Sequence, residues 1–279
     1  NLFYSRRIGR NPHINPNLAS GEYADVPKNS TILGAAKFSG KTKNGWSIGV
    51  LESLTSREFA EIRDKDGVTR DEIVEPLTNY FVARAQKDFN ERNSYLGGIF
   101  TATNRNLNGN FSELHKAAYT GGMDFRHTWK NRNFYIEGNT IISYVTGSKE
   151  AIERTQRSIT RLFQRTDADH VNVDSTRTSL TGTGGKINIG KQGGGNWRYN
   201  GGLVWRSPEL ELNDVGFLRQ TDEVIQSAEI KYLWQVPTKI YRDIRLNLEQ
   251  FSSFDFQGNL NDVEYKLGAR INWINNWTT

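Results

Sequence analysis

The feature that most constrains this chain is a period-two alternation of apolar and polar residues, repeated segment after segment from about Thr31. In Tyr119 to Trp129 one set is Tyr119, Gly121, Met123, Phe125 and Trp129, and the other is Thr120, Gly122, Asp124, Arg126 and Thr128. Trp197 to Arg206 and Val263 to Trp273 repeat the pattern. Successive side chains of a strand point to opposite faces, so each segment reads as a strand with one apolar and one strongly polar face. The alternation predicts about eleven strands, near 31–42, 46–57, 76–89, 94–106, 117–129, 133–147, 178–192, 196–209, 223–237, 243–257 and 261–274. Composition agrees with an all-β chain, with 26 Gly, 32 aromatic residues, 6 Pro and 1 Met in 279 residues.

The connections alternate as well. Short polar turns at 43–45, 90–93, 130–133 and 193–196 carry the residues of tight hairpins. Longer connections are expected at 58–75, 107–116, 148–177 and 210–222, and the last hairpin is tight again at 258–261. Short turns on one side and long loops on the other are the habit of outer-membrane barrels. One segment departs from β. Ser148 to Arg165 spaces Ile152, Thr155, Ile159, Leu162 and Phe163 at helical intervals, with Arg154, Arg157, Arg161 and Arg165 nearly in a row. A short loop helix near 148–165 is expected. Its basic face is either solvated or turned to a ligand, and the sequence does not separate the two.

Mean hydropathy is −0.66 and the formal charge +5. Those averages would suit a soluble basic protein, but resolved strand by strand they become two faces. The polar faces carry ionisable residues in mid-strand, as expected of a hydrated lumen: Lys37, Arg84, Asp124, Arg126, Glu137, Arg198, Arg206, Glu229, Lys231, Arg245, Glu249, Glu264, Lys266 and Arg270. Aromatics gather at the ends of the apolar stripes, as at Trp46, Tyr119 with Trp129, Phe134 with Tyr144, Trp197 with Trp205, Trp234 and Trp273. That placement fits interfacial girdles. The expected fold is therefore an antiparallel transmembrane (outer-membrane) β-barrel. With short turns assigned to the periplasm, the first and last strands both run inward. Their odd number predicts a fragment of a larger barrel, with 1–30 an extracellular-type loop and 31–279 an incomplete barrel.

Other chemistry is not encoded. The chain has no cysteine, so no disulfide or thiolate metal site. His13, His115, His127 and His170 form no metal-binding spacing, and no metal or cofactor is expected. The run Gly182-Thr183-Gly184-Gly185-Lys186 lacks phosphate-loop spacing and reads as room for close packing inside a strand. The acidic stretch around Asp64, Asp66 and Gly67 fails the downstream pattern of a calcium loop. The basic excess is spread along the chain, with no nucleic-acid motif.

The opening Leu2-Phe3-Tyr4-Ser5-Arg6-Arg7-Ile8-Gly9-Arg10-Asn11-Pro12 resembles a family of Bacteroidota-type outer-membrane proteins whose barrel domain is of unknown function. So do Ile32 to Lys37, Asn44 to Leu51 and Val74 to Val82. The resemblance runs through essentially the whole chain and departs at Arg165-Thr166-Asp167, where a proline is expected after the arginine. In that family the barrel typically follows a family-9-like carbohydrate-binding module. The resemblance implies an outer-membrane location and a link to glycan handling, and it carries over no catalytic residue. The expected function is transport or binding of glycan-type or other nutrients at a polar lumen. The alternatives are an anchor displaying an N-terminal module, and a hydrolase at the barrel mouth. Expected partners are outer-membrane lipid and lipopolysaccharide, glycans and other outer-membrane proteins, with no nucleic acid.

Overall fold

In a computed structural model, which describes residues 2–108 and 111–279, the alternating segments are strands of one large antiparallel sheet. In chain order a one-turn 3-10 helix (Ser5–Arg7) precedes a short strand β1 (Tyr23–Asp25), followed by β2 (Ile32–Lys41), β3 (Trp46–Thr55), β4 (Glu58–Arg63), β5 (Thr69–Glu75), β6 (Thr78–Phe89) and β7 (Ser94–Arg105). Then come β8 (His115–Trp129), β9 (Phe134–Gly147), the α-helix α1 (Lys149–Arg157), β10 (Ser179–Lys191) and β11 (Trp197–Arg206). β12 (Glu223–Trp234), β13 (Tyr241–Phe254) and β14 (Leu260–Trp273) complete the chain. The eleven expected strands are β2, β3 and β6 to β14, and each pairs with its neighbour in sequence.

The sheet is open. β2 and β14 lie at its two margins, and no closed barrel forms among the described residues. The alternation of long and short connections holds as far as β13, with those tight turns collected at one end; the last tight turn, 255–259, lies at the other end beside the loop 207–222. Two of the turns at the first end share a conformation: Asn90, Glu91 and Arg92, and again Lys130, Asn131 and Arg132, all have positive φ.

The segment 58–75 is not a bare connection but a hairpin, β4–β5, which β1 extends to a three-stranded sheet. Its turn uses the acidic stretch structurally. The Asp64 side chain accepts from the backbone N–H groups of Asp66 and Val68, and Gly67 takes the left-handed conformation. The helix is shorter than its spacing predicts. Ser148 caps it by accepting from the Ala151 N–H, and it ends at Arg157 with Ser158 extended. Ile159 beyond it is 87% exposed, while Phe163 turns under to pack with Ala168 and Val171.

The register carries the main structural result. Phe38, Val50, Ala83, Phe100, Gly121 and Ile142 lie on one face of the sheet across consecutive strands. That face continues through Ile187 and Leu203, and through Ile230, Leu248 and Leu267. Nothing among the described residues covers it. Ile142 is 54% exposed and Leu267 83%, and Phe100, Met123, Ile189 and Leu248 are similarly open. The buried clusters lie elsewhere, toward the long-connection end. Ala118, Val145, Ile152 and Leu180 form one, and Leu210, Leu212 and Leu218 with Leu2 and Ile141 form another.

Candidate functional site: the polar face beneath an inserted loop

The connection 207–222 between β11 and β12 does not stay at the rim. It folds onto the polar face of the sheet, and two glycines of β10 admit it. A Cβ on Gly182 would lie 2.2 Å from the Leu210 nitrogen, and one on Gly184 would lie 2.9 Å from Leu210 Cδ2. The glycine-rich run is thus a docking floor for a loop about thirty residues ahead, a use consistent with glycine where another backbone approaches closely. The Glu211 N–H donates to Ser143 Oγ at 3.0 Å. The N-terminal stretch lies against the same loop: the Tyr4 N–H donates to the Val215 carbonyl, and Arg7 donates to Gly216 and Asn213.

Three carboxylates of the loop are clamped by basic residues from other elements. Glu211 pairs with Arg161 at 2.8 Å, both side chains almost wholly buried. Asp214 pairs with Arg105 at 2.6 Å and with His115 at 2.8 Å. Asp222 pairs with Arg165 and, at 2.7 Å, with His170, and also accepts the Phe256 N–H. Burial alone would raise the Asp214 carboxyl, but His115 and Arg105 hold it well below the usual carboxylate range. Burial would lower His170, yet the bond to Asp222 sets it above its ordinary value. A third histidine–carboxylate pair, His13 to Glu75 at 2.7 Å, ties the N-terminal stretch to the end of β5.

His115 deserves a chemical reading, because Thr155 Oγ1, His115 and Asp214 stand in line at 2.7 and 2.8 Å like a nucleophile, base and acid. The hydroxyl hydrogen is committed elsewhere: Thr155 Oγ1 donates to the Ala151 carbonyl at 2.9 Å. His115 therefore donates from both ring nitrogens and has no lone pair with which to take a proton. The trio is a structural clamp, not the activated hydroxyl of a hydrolase.

Between the loop and the sheet lies an open-sided cavity of ≈ 960 Å³. Four of the lumen residues expected from alternation line it: Arg84, Asp124, Glu137 and Arg206. Arg84 reaches Asp124 with two bonds, of 2.7 and 2.9 Å, although β7 runs between their strands. Gly97 makes this possible, since a Cβ there would lie 2.8 Å from Asp124 Oδ1. Arg126 pairs with Glu137 at 3.0 Å and lies over the Tyr135 ring. Arg206 pairs with Glu223.

The remaining expected residues separate into other surroundings. Glu229, Glu249, Glu264 and Lys266 line a smaller hollow of ≈ 350 Å³, where Glu229 pairs with Lys231 and Glu264 with Lys266 at 2.7 Å. Arg198 donates to the turn carbonyls of Gly194 and Gly195. Arg245 and Arg270 stand directly opposite each other, so opposite-sign cross-strand pairing does not hold there. Lys37 lies on the edge strand β2. The row of arginines expected on one helical face is dispersed. Arg154 pairs with Glu113 and Arg157 with Glu153, both exposed on α1, whereas Arg161 and Arg165 lie beyond the helix and clamp the loop. They are not one basic surface.

Alternation missed Lys186 and Arg219, which also line the cavity. Lys186 has the parity of the polar face of β10, a signal the expected set left out; nothing local marked Arg219, which reaches the cavity because its loop folds inward. No group of three or more potential metal ligands occurs among the described residues. No helix is long and apolar enough to cross a membrane, which says nothing of strands.

No curated protein matches the chain. A family model described as "Domain of unknown function (DUF5916)" matches residues 1–279, and the chain therefore belongs to that family.

Proposed function

We propose that this chain forms part of the wall of an outer-membrane β-barrel, in a bacterium of the Bacteroidota type, and that its lumen receives polar nutrients such as glycans. The carrying observation is the uncovered apolar face, built from eleven strands in common register. Water-soluble monomers rarely leave contiguous apolar patches larger than a few hundred Å². Spacing supports lipid as the cover. Tyr119 and Trp129 lie ten residues apart on β8, as do Phe134 and Tyr144 on β9. Ten residues at about 3.3 Å each, tilted by about 40°, span about 25 Å, the height of the apolar band of such barrels.

On this reading the two free edges are joined by further strands. β2 and β14 run in the same direction, so an antiparallel closure takes an odd number of them. The polar face then lines the lumen, and the loop 207–222 narrows it. That narrowing favours a second reading, in which the barrel is an anchor displaying another module and conducts nothing. Single-channel recording in planar bilayers separates the two. Steady conductance, increased by Gly182→Val, supports passage through the lumen; bilayers containing inserted protein but no conductance in either form would leave the anchor.

A further inference from the structure

We propose that the cavity beneath the inserted loop binds a small organic anion, with Lys186 and Arg219 holding its carboxylate or phosphate. The observation is an imbalance of charge around one open-sided cavity, whose two unmatched cations, Lys186 and Arg219, are both solvent-accessible. Every carboxylate lining the cavity is already matched. Asp124 takes two bonds from Arg84, Glu137 takes Arg126 and the Asn188 amide, and Glu223 takes Arg206. Lys186 and Arg219 have no carboxylate within ion-pair distance among the described residues.

They come from different parts of the fold, the sheet and the inserted loop. Lys186 projects from the middle of β10, where its cross-strand neighbours are Asn139 and Val204, neither of them acidic. Arg219 belongs to the inserted loop, with its guanidinium carbon 5.6 Å from the centre of the Phe217 ring. A point charge on the sheet and a planar fork on the loop face one space, with Asn139 and Gln220 adding amides to its lining. Such donors bind carboxylate and phosphate through charge-assisted hydrogen bonds. The cavity lies at the upper end of the range for small-molecule sites, about 300–1,000 Å³. It therefore accommodates an organic body beside the anionic group, against Tyr95, Leu2 and Leu218. The proposal does not depend on what covers the apolar face of the sheet.

The test is titration calorimetry on the detergent-solubilised full chain, with inorganic phosphate, adipate and uncharged galactose as probes. Saturable binding of at least one anion is expected, weakening as salt is added. Lys186→Gln and Arg219→Gln should each weaken it about tenfold, and the double variant should abolish it. Lys43→Gln, in the β2–β3 turn, should leave it unchanged. Circular dichroism and thermal melts establish that the variants fold. Phosphate binding alone assigns a phosphorylated solute and adipate binding alone a carboxylated one; either supports the proposal. No saturable anion binding, binding undiminished in the double variant, or galactose binding as strong as the anions' would overturn it.

Discussion

At the scale of single residues, the glycines of the polar face decide which side chains meet. Gly97 is the bridge over which Arg84 reaches Asp124, and Gly97→Ala places a methyl against that carboxylate. The pair is partly exposed, so its contribution is modest, about 0–1 kcal/mol. The expected signature is therefore coupling rather than size: Gly97→Ala should destabilise the chain less when Asp124 is already Asn, as a double-mutant cycle would reveal. Gly182 is stricter, because a Cβ there meets the backbone of Leu210 rather than a movable side chain. Gly182→Ala should cost about 1–3 kcal/mol by overpacking, with faster proteolysis within 207–222.

The His170–Asp222 pair gives a pH dependence with a definite sign. His170 titrates above its ordinary value, so its contribution is whole below about pH 6.5 and is lost as pH rises through its raised folded-state pKa. A proton titration of His170 by NMR should have its midpoint above 6.5; a midpoint at or below it would contradict the pairing. The sequence made the glycine run legible as a place of close approach. It did not name the partner, since Leu210 is brought there by tertiary folding.

At the scale of elements, period-two patterning was enough to find the eleven strands of the large sheet, because each strand keeps one apolar and one polar face over ten or more residues. It failed for β4 and β5, where Ala60, Ile62 and Val74 are buried but the strands are short, their outer residues acidic and basic, and their Asp-Lys-Asp-Gly turn resembled an acidic loop. It failed differently for the helix. The spacing of Ile159 and Leu162 continues a helical stripe, but Leu162 takes a positive φ and Arg161 turns inward to Glu211. A buried ion pair with a carboxylate 50 residues away outweighs local periodicity, and no local pattern announces it. Arg161→Met leaves the Glu211 carboxylate buried and unpaired, a change that costs about 3–5 kcal/mol. Adding Glu211→Gln should recover much of that loss in denaturant unfolding.

At the scale of the whole molecule, the chain inverts the usual arrangement of a β protein. Its packed clusters lie on the polar side, where the inserted loop and N-terminal stretch gather, and its broad apolar face is open. The two-faced character of every strand was legible in the alternation, while the shape of the polar side was not, because it depends on loops folding back over the sheet. If lipid covers the open face, an arginine at Ile187 or Leu267 should cost about 2–4 kcal/mol near mid-membrane.

The absence of cysteine makes the central claim directly measurable, because single cysteines can be introduced without interference. Cysteines at Ile142, Ile189 and Leu248 on the apolar face, and at Asn139, Asn188 and Asn247 on the polar face, would carry a fluorophore in protein inserted into phospholipid vesicles. The account predicts alternation: the first three quenched by nitroxide-labelled lipid and shielded from aqueous iodide, the second three the reverse. Iodide quenching of all six alike, or protein that stays monomeric in water without detergent and ignores the vesicles, would contradict it.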